Sequence, residues 1–380
     1  MDLATTLTSP DVDAFYTLDR SRLARTTERF VQAFPGRVLY AVKANPLPEV
    51  VETVLSHGIH GFDIASLPEA RLVRRVTPTA PLWFMNPVKS RRDLALAWSD
   101  LHIRDYVIDS EAELEKLLEV LPTHDAAIRV WVRFQLSTSD AVYELNSKFG
   151  ASMPLTARLL ARLALETRWR QGLAFHPGSQ TMTVEPYLAA LQMAEQLICE
   201  AQAVEAVDIG GGFPGLYANL PPVTPWPMLD AVGAFVSGSS SLRSRELVCE
   251  PGRSLTHDCM SLFARVLLRS DTAVYCGAGI FNGLLPAQQH LQLPVATWRG
   301  TRRLPMTAKD DLREFTVFGP TCDSMDRLAH PYALPDAIEE GDWIEFQAVG
   351  AYSESVRCTF NGFSVDHRVL LPEGGTACAD

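Results

Sequence analysis

Short apolar segments recur at regular intervals along the first two thirds of the chain, and helical patterns separate them. The segments lie near residues 38–45, 61–66, 81–87, 105–110, 128–135, 172–178, 206–212 and 246–252. Several are apolar on both faces, which is typical of strands in a covered parallel sheet. Between them, residues 183–203 predict an amphipathic helix, and Ser66 and Ser110 each begin a capping-box spacing. Eight strand–helix units predict an α/β fold with a (β/α)8 barrel, and a doubly wound open sheet is the alternative.

The pattern changes after about residue 256. The segments VLLRS, TAVYC, FTVFG, DWIEFQAVGAY and VRCTFNGF are short, and they alternate in polarity or end in glycine. Turns that contain proline and glycine lie between them, which predicts an antiparallel β domain. The N-terminal segment DAFYTLD predicts one further strand, whereas residues 371–380 are expected to be frayed.

Composition and charge narrow the function classes. Of the 380 residues, 47% are hydrophobic and 21% are charged, as in a folded globular protein. The formal net charge of −11 argues against a nucleic-acid binder or a binder of anionic membranes. The seven cysteines form no C-x-x-C pair and no cluster with zinc-ligand spacing, so we expect reduced thiols and no metal site. Because there is no signal-peptide pattern and no long apolar run, the expected location is the cytoplasm.

Polar and glycine residues follow several of the predicted barrel strands at their carboxyl ends, where the active sites of this fold lie. They include Lys43, Asp63, Arg133, His176, Ser179, Gly210, Gly211, Gly212, Glu250, Gly252 and Arg253. Lys43 fits either an ordinary strand-end lysine or a desolvated, nucleophilic amine. The glycines, together with Ser179 and Arg253, fit a phosphate site, although a triple glycine is more often only a loop. His176 alone is more typical of a core histidine, and Glu250 fits either a structural partner of Arg253 or a partner of a pyridine nitrogen.

Eight motifs, in this order, carry a resemblance to a known family. They are YAVKANP, FDIAS, FHPGSQ, DIGGGFPG, EPGR, FGPTCDSMD, GAYS and TFNGF, and the resemblance they carry extends from about residue 14 to residue 363. The sequence resembles the fold-type III pyridoxal-phosphate (PLP) decarboxylases of basic amino acids, the ornithine and diaminopimelate decarboxylase family. It is most similar to the ornithine decarboxylase side. The resemblance implies a PLP-binding barrel over residues 17–255 and a β domain formed by residues 1–16 and 256–380.

The resemblance also implies roles for single residues. Lys43 would bind PLP covalently, His176 would stack on the cofactor ring, and Glu250 would bind the pyridine nitrogen. Cys322 would be the acid that protonates the carbanion, which completes the implied catalytic set. The other cofactor-binding residues implied are Asp63, Arg133, Ser179, Gly211, Gly212, Gly252, Arg253 and Tyr352.

Cys322 stands next to Asp323 in the segment PTCDS. A lone cysteine in a β domain is usually a small buried hydrophobe. Here Pro320 and the neighbouring acids favour an exposed loop, and nearby carboxylates tend to keep a thiol protonated. The resemblance implies that Cys322 and Asp323 reach the active site across a homodimer interface, so we expect a homodimer with shared active sites.

The sequence departs from the family pattern where the distal end of the substrate would bind. Asp323 favours a distal cation, as in the ornithine and lysine enzymes. The second acid of the ornithine enzymes is missing, because residues 282–292 contain no acid and Ala278 replaces the Asp of an Asp-Gly turn. Gln288, Gln289 or His290 falls near that position. The predicted substrate-binding residues are Asp323, Gln289, His290, Tyr352 and Phe360.

These observations predict the PLP-dependent decarboxylation of a small L-amino acid to an amine. The substrate would be ornithine- or lysine-like, as in polyamine biosynthesis, or a larger conjugated amino acid. A siderophore or natural-product enzyme acting on a citryl or other carboxylate-bearing conjugate is the alternative. Free ornithine is expected to be a poor substrate, because a poorly paired ammonium in a dry pocket is unfavourable. A racemase, which would need a tyrosine in place of Cys322, and a non-catalytic PLP-binding regulator are the other classes left open.

Overall fold

A computed structural model describes residues 2–136, 140–143, 148–288, 290–306 and 311–372. The chain divides into two compact units. The barrel unit comprises Arg25–Pro214 and Val223–Leu255, and the β unit comprises Met1–Ala24, Gly215–Pro222 and Thr256–Asp380. Residues 17–24 and 215–222, expected in the barrel domain, therefore group with the β unit. One reason is that Thr17 still belongs to the first strand, where it pairs with Ser261 of the β unit.

The N-terminal elements are helix α1 (Leu3–Thr8), strand β1 (Ala14–Leu18) and helix α2 (Arg20–Ala33). The eight strands of the barrel unit follow. They are β2 (Arg37–Ala41), β3 (Gly61–Ile64), β4 (Leu82–Phe84), β5 (Asp105–Ile108), β6 (Arg129–Arg133), β7 (Arg170–Ala174), β8 (Val204–Asp208) and β9 (Glu246–Cys249). All neighbours are parallel, and β9 pairs with β2, so the sheet closes into a barrel. The predicted (β/α)8 architecture and its eight strand segments are confirmed.

Helices alternate with these strands. They are α3 (Pro48–Ser56), α4 (Leu67–Val76), α5 (Arg91–Ser99), α6 (Glu111–Val120), α7 (Met153–Glu166), α8 (Glu185–Glu200) and α9 (Trp226–Gly238), and the short α10 (Arg253–Thr256) follows β9. The serines predicted as N-caps do cap their helices: Ser66 Oγ accepts from the Glu69 amide, and Ser110 Oγ accepts from the Glu113 amide. Glu69 also accepts from the Ala65 amide, and Glu113 accepts from the Lys89 amide.

Aromatic side chains and one arginine fill the barrel interior. Trp83 and Trp131 stack with ring centroids 5.0 Å apart, inside a core of fully buried aliphatic side chains. The guanidinium of Arg129 lies 4.8 and 4.4 Å from these two ring centroids, and it bonds to Asp105 and Glu246. Arg129, Asp105 and Glu246 are each the first residue of a strand. The amino ends of β5, β6 and β9 are therefore joined by an ion-paired network.

The strands of the β unit are β1 with β10 (Met260–Arg269), β11 (Ala273–Cys276), β12 (Val295–Arg299), β13 (Arg302–Arg303), β14 (Leu312–Phe318), β15 (Tyr332–Pro335), β16 (Trp343–Phe346) and β17 (Arg368–Leu370). They form one sheet that is mostly antiparallel, as predicted. Two pairs are parallel, namely β1 with β17 and β11 with β14. The predicted N-terminal strand pairs with β10 along its whole length. One side of the sheet packs Phe15 against Phe263, whose ring centroids are 4.8 Å apart.

The strand expected over residues 356–363 is wrong. This segment forms turns and a short 3-10 helix, Phe360–Gly362, with Asn361 in the left-handed region at a φ of 55°. Such a conformation interrupts an extended strand, and asparagine is among the residues that adopt it most readily. The expected frayed tail, residues 371–380, lies almost entirely outside the described residues.

In the part of the chain that the structure describes, no helix has the length and apolar character needed to cross a membrane. The described residues also contain no cluster of His, Cys, Asp and Glu suited to a metal ion. Six cysteines, Cys199, Cys249, Cys259, Cys276, Cys322 and Cys358, are free thiols.

Candidate active site

Lys43 lies in a short 3-10 turn, Val42–Ala44, that directly follows β2. Its Nζ lies 3.0 Å from Oδ2 of Asp63, a buried carboxylate on the neighbouring strand β3. The Lys43 side chain is 43% exposed, so the alternative of a desolvated amine does not hold for the protein alone. Gly252 permits this turn to pack, because a Cβ at Gly252 would lie 2.8 Å from the Cβ of Ala44.

His176 follows β7 by two residues. Its Nδ1 accepts a hydrogen bond from the amide of Gly178 at 3.1 Å, which leaves Nε2 to carry the proton of the neutral ring. Burial lowers the pKa of His176 well below its usual value, and the positive charges of Arg133 and Lys43 lower it further. The imidazole is therefore neutral at physiological pH. Gly211 faces it, since a Cβ at Gly211 would lie 3.3 Å from His176 Nε2.

A cradle of backbone and polar groups follows β7 and β8. Gly210 and Gly212 have φ values of 68° and 91°. A Cβ at Gly212 would lie 2.4 Å from the Gly178 carbonyl oxygen, so a glycine is needed for this close approach. The guanidinium of Arg253 donates to Ser179 Oγ at 3.2 Å. A guanidinium, a hydroxyl and glycine-rich backbone are groups that suit a phosphate.

Glu250 follows β9 and is buried beside a second carboxyl group, that of Asp208 at the end of β8. Burial and the negative charge of Asp208 raise the pKa of Glu250 well above its usual value. Burial, and to a smaller extent the negative charge of Asp63, raise the pKa of Asp208 to about 7. Arg133, at the end of β6, is close enough for its charge to interact with both. Oε1 of Glu250 is buried and has no hydrogen-bond partner among the described residues.

The β unit carries the predicted proton donor. Cys322 is exposed on the loop after β14, and its amide donates to Asn361 Oδ1 at 3.1 Å. Asp323 is half-buried, and its Oδ1 accepts from the Met325 amide at 2.8 Å. Phe360 is exposed and packs against Phe281, with ring centroids 5.0 Å apart. The β unit thus groups Cys322, Asp323 and Phe360 on adjoining loops.

Two of the remaining predicted substrate residues, Tyr352 and His290, belong to the described part of the chain. Tyr352 is half-buried and has a positive φ of 61°. The side chain of His290 is exposed, and its carbonyl accepts from Asn219 Nδ2 at 2.8 Å. Gln289 lies outside the described residues.

The residues of the barrel unit fit PLP. Glu250 Oε1 is a buried acceptor without a protein donor, as a protonated pyridine nitrogen requires. A Cβ at Gly211 or Gly212 would collide with backbone carbonyl oxygens, so these glycines keep the site open. Arg253 and Ser179 are suited to bind the phosphate group. Lys43 offers an accessible amine at the end of a neighbouring strand. PLP in turn supplies an electron sink for reactions at the α-carbon of an amino acid.

Two further barrel residues belong to this site, although the sequence alone did not select them. Asp208 stands in the quoted motif DIGGG, but only its pairing with Glu250 gives it significance. Tyr143 bonds through its backbone to Ser179 in both directions, and the Arg253 guanidinium lies 5.7 Å from its ring centroid. No motif contains Tyr143, so only the fold brings it to this site.

Comparison with known proteins gives the same answer. Residues 20–257 match the family model described as the pyridoxal-binding domain of pyridoxal-dependent decarboxylases. The decarboxylase flvG of Aspergillus flavus is 28% identical, over 94% of this chain and 85% of that protein. Ornithine decarboxylase of Mus musculus is 29% identical, over 93% and 80%. The crystal structure of lysine decarboxylase from Selenomonas ruminantium superposes with a TM-score of 0.83 at 25% identity, covering 97% of this chain and 94% of that one. Because the family model covers more than half of the chain, this protein belongs to the pyridoxal-dependent decarboxylases, as an enzyme that uses PLP to decarboxylate an amino acid.

Proposed function

We propose that this enzyme decarboxylates an L-amino acid whose distal group is larger or less basic than that of free ornithine. One carboxylate, Asp323, would contact that distal group. The observation that carries this proposal is that residues 282–292 contain no acid, while Asp326 and Glu354 already have partners among the described residues. Ornithine and lysine themselves form the second candidate, which the retained Asp323 and the names of the similar enzymes favour.

Two acids of the β unit could in principle complete a clamp on a distal ammonium, and both are already occupied. Asp326 is 1% exposed and accepts from the Ile280 amide and from both the amide and the hydroxyl of Thr321. Glu354 forms a two-point ion pair with Arg357 at 2.9 and 3.1 Å. Freeing Asp326 would leave buried donors unpaired, and freeing Glu354 would break its ion pairs with Arg357 and Arg368, and both changes are costly.

We assign the chemical roles as follows. PLP, when bound, takes up the electron pair that the departing carboxylate leaves behind. Lys43 holds the cofactor covalently, and Asp63 orients its amine. Arg253 and Ser179 bind the phosphate. Glu250 holds a proton at the ring nitrogen, and His176 covers one face of the ring as a neutral imidazole, which adds no positive charge beside the cofactor.

Cys322 then delivers a proton to the α-carbon after carbon dioxide has left. Its thiol is exposed on a loop, and its backbone amide donates a hydrogen bond to the side chain of Asn361. Asp323 follows it directly in the sequence. The same pair of neighbours therefore serves the reacting carbon and the distal end of the substrate. Lys43 would hold the cofactor again once the amine product has left.

We further propose that the active sites are shared within a homodimer. The loops around Cys322 expose several large apolar side chains, namely Met325 at 62%, Val356 at 43%, Phe360 at 41% and Phe363 at 38%. An apolar patch beside a polar loop suits a protein interface. The free thiols support a reducing compartment, for which we propose the cytosol.

Subunit exchange tests the shared site. Lys43→Ala and Cys322→Ala proteins, each nearly inactive alone, should regain roughly a quarter of wild-type activity when mixed and allowed to exchange subunits. About half of the dimers would be mixed, and half of their sites would be intact. No recovery, despite exchange shown by tagged subunits, would place both residues in one chain's site.

A substrate panel tests the proposed specificity. Carbon dioxide release would be measured with ornithine, lysine, arginine, diaminopimelate and citryl conjugates of diamino acids. We expect a conjugated amino acid to exceed ornithine in kcat/KM. Racemisation of the substrate without carbon dioxide release would instead indicate a racemase. A ranking led by ornithine would favour a diamine-forming enzyme of polyamine biosynthesis over a siderophore or natural-product enzyme.

A further inference from the structure

Two buried carboxyl groups face each other at the carboxyl ends of adjacent barrel strands. Asp208 is the last residue of β8 and is 0% exposed, and Glu250 directly follows β9 and is 8% exposed. The strands β8 and β9 are parallel neighbours, with Asp208 opposite Val248. The barrel therefore fixes the two groups side by side.

The backbone of one residue, Gly210, bonds to both members of this pair. The Gly210 amide donates to Asp208 Oδ1 at 2.8 Å, and the Gly210 carbonyl accepts from the Glu250 amide at 2.9 Å. Oδ2 of Asp208 and Oε1 of Glu250 are buried, and no donor among the described residues reaches them. Each of these carboxyl groups shifts the pKa of the other, which places them within interaction distance. Two carboxylates are acceptors only, so a hydrogen bond between them requires one shared proton.

The surrounding charges favour the same proton count. Asp63, Asp208 and Glu250 interact with the cations Lys43 and Arg133, and Arg133 also interacts with Asp109. His176 and Cys249 are neutral, since burial lowers the pKa of His176 and raises that of Cys249. The carboxyl groups outnumber the cations, which favours a proton on the buried carboxyl pair. Ionising both carboxyl groups would leave a net negative charge in a buried site.

We propose that Asp208 is a positioning residue that shares a proton with Glu250 and thereby controls how Glu250 binds the pyridine nitrogen of PLP. With the cofactor bound, the shared proton lies on Asp208, which donates to Glu250. The free Oε1 of Glu250 then carries the charge that faces the protonated ring nitrogen. No proton enters or leaves the pair when protonated PLP binds. This inference deepens the proposed function, because it rests on the assignment of Glu250 to the ring nitrogen.

Three variants test the shared proton in the cofactor-free protein. Asp208→Asn keeps a donor to Glu250 but cannot lose a proton, Glu250→Gln removes the other partner, and the double variant removes both. An acid whose pKa is raised by folding makes the protein lose stability as pH rises through that pKa. We therefore expect the free energy of unfolding of the wild type, measured with urea, to fall relative to that of Asp208→Asn as the pH rises from about 4 to 7. Each single variant should lack this pH-dependent loss of stability. The double variant should have the same pH profile as the single variants.

Cofactor binding tests the positioning role. Asp208→Ala, which deletes a hydrogen bond to a charged group, should weaken PLP binding about 10-fold and shift the absorbance spectrum of the bound cofactor. Asp208→Asn should bind PLP within about threefold of wild type at neutral pH, because it still donates to Glu250. Should Asp208→Ala fail to fold, the Asp208→Asn and Glu250→Gln pH profiles decide the matter alone.

The possible failures are distinguishable. If Glu250→Gln leaves both the affinity and the spectrum of PLP unchanged, the assignment of Glu250 to the ring nitrogen is wrong, and the proposed function needs revision there. If Glu250→Gln alters both while Asp208→Ala alters neither, only the role of Asp208 is overturned. Identical pH profiles for wild type and Asp208→Asn would also overturn the shared proton.

Discussion

The amide of Cys322 donates to the side chain of Asn361 across 3.1 Å, and this bond joins the proposed proton donor to the turn that carries Phe360. Asn361 holds a left-handed φ of 55°. Its residue type therefore serves two purposes, since asparagine tolerates this conformation and also supplies the acceptor oxygen.

A pair of substitutions separates those purposes. Asn361→Gly keeps the left-handed backbone and deletes the acceptor, whereas Asn361→Asp keeps both. Losing one hydrogen bond of about 0.5–1.5 kcal/mol should lower kcat by roughly 2- to 10-fold in the glycine variant. PLP binding and the aspartate variant should change little. If the glycine variant has the wild-type kcat and the wild-type rate of Cys322 alkylation, Asn361 does not position the thiol.

The second prediction concerns the covalent link to the cofactor. Lys43→Ala should lose the visible absorbance of lysine-bound PLP and its bleaching by borohydride, because the accessible amine near Asp63 is gone. PLP should still bind without a covalent bond, through Arg253 and Ser179. Lys116→Ala, which removes a surface partner of Glu113, is the matched control and should retain the band. A retained, borohydride-sensitive band in the Lys43 variant would assign the link to another lysine.

Substrate charge gives the third prediction. With Asp323 as the single distal acid, kcat/KM for ornithine should lie about 10- to 100-fold below that of a fully paired site, the effect of one missing charged hydrogen bond. Gln289→Glu or His290→Glu should raise kcat/KM for ornithine or lysine and lower it for a substrate with a distal carboxylate. Gln289→Met serves as the neutral control. A wild-type value for ornithine of about 10⁴ M⁻¹s⁻¹ or more would contradict a half-complete clamp.

The pH dependence of stability tests the neutral state of His176. Folding lowers the pKa of this imidazole. Below about pH 6.5, His176 is therefore protonated in the unfolded chain but stays neutral in the folded protein. The cofactor-free wild type should therefore lose stability relative to His176→Gln as pH falls below that value, by up to about 1.4 kcal/mol per pH unit. Above it, the difference should be constant. Urea unfolding at several pH values measures it, and a flat difference at low pH would show that His176 is not buried as a neutral ring.

Lys89 provides a prediction about structure alone. Its Nζ donates to the carbonyls of Asn86, Pro87 and Val107, and it lies 3.1 Å from Glu113 Oε1 in a fully buried pair. Burial lowers the pKa of this lysine to about 8. Lys89→Met removes the buried ammonium that bonds to Glu113 and to three carbonyls, and it should cost about 3–5 kcal/mol of unfolding free energy. Lys116→Met, at the edge of the same cluster, should cost far less in the same unfolding measurement.

The sequence predicts the barrel well because its strands are buried on both faces and separated by capped helices, so local pattern and fold agree. The turn over residues 356–363 is different. Its apolar residues suggest a strand, but Asn361 turns the chain and Phe360 packs against Phe281, which lies far away in sequence. The parallel pairing of β11 with β14 likewise joins segments that are distant in sequence, and the alternation of polar and apolar residues within a strand does not predict its partner.

Some residues of the candidate site can be predicted from the sequence, and others can be recognised only in the fold. Lys43, Glu250 and Arg253 are visible in the sequence because each stands at the end of a strand in a recurring motif. The carboxyl pair is not, since the effect of Asp208 on Glu250 exists only when β8 and β9 lie side by side. The exposure of Lys43 also depends on the turn geometry and not on its apolar neighbours in sequence.

Strand β1 pairs with β10 and β17, so nearly the whole barrel sequence lies between the first strand and its partners. During synthesis on the ribosome, β1 emerges first and has to wait until the barrel sequence has been translated. The barrel strands find their neighbours within a few dozen residues, except for the closing pair β2 and β9. Closing such a long loop is slow compared with local pairing. The first strand to be synthesised is thus among the last to be paired.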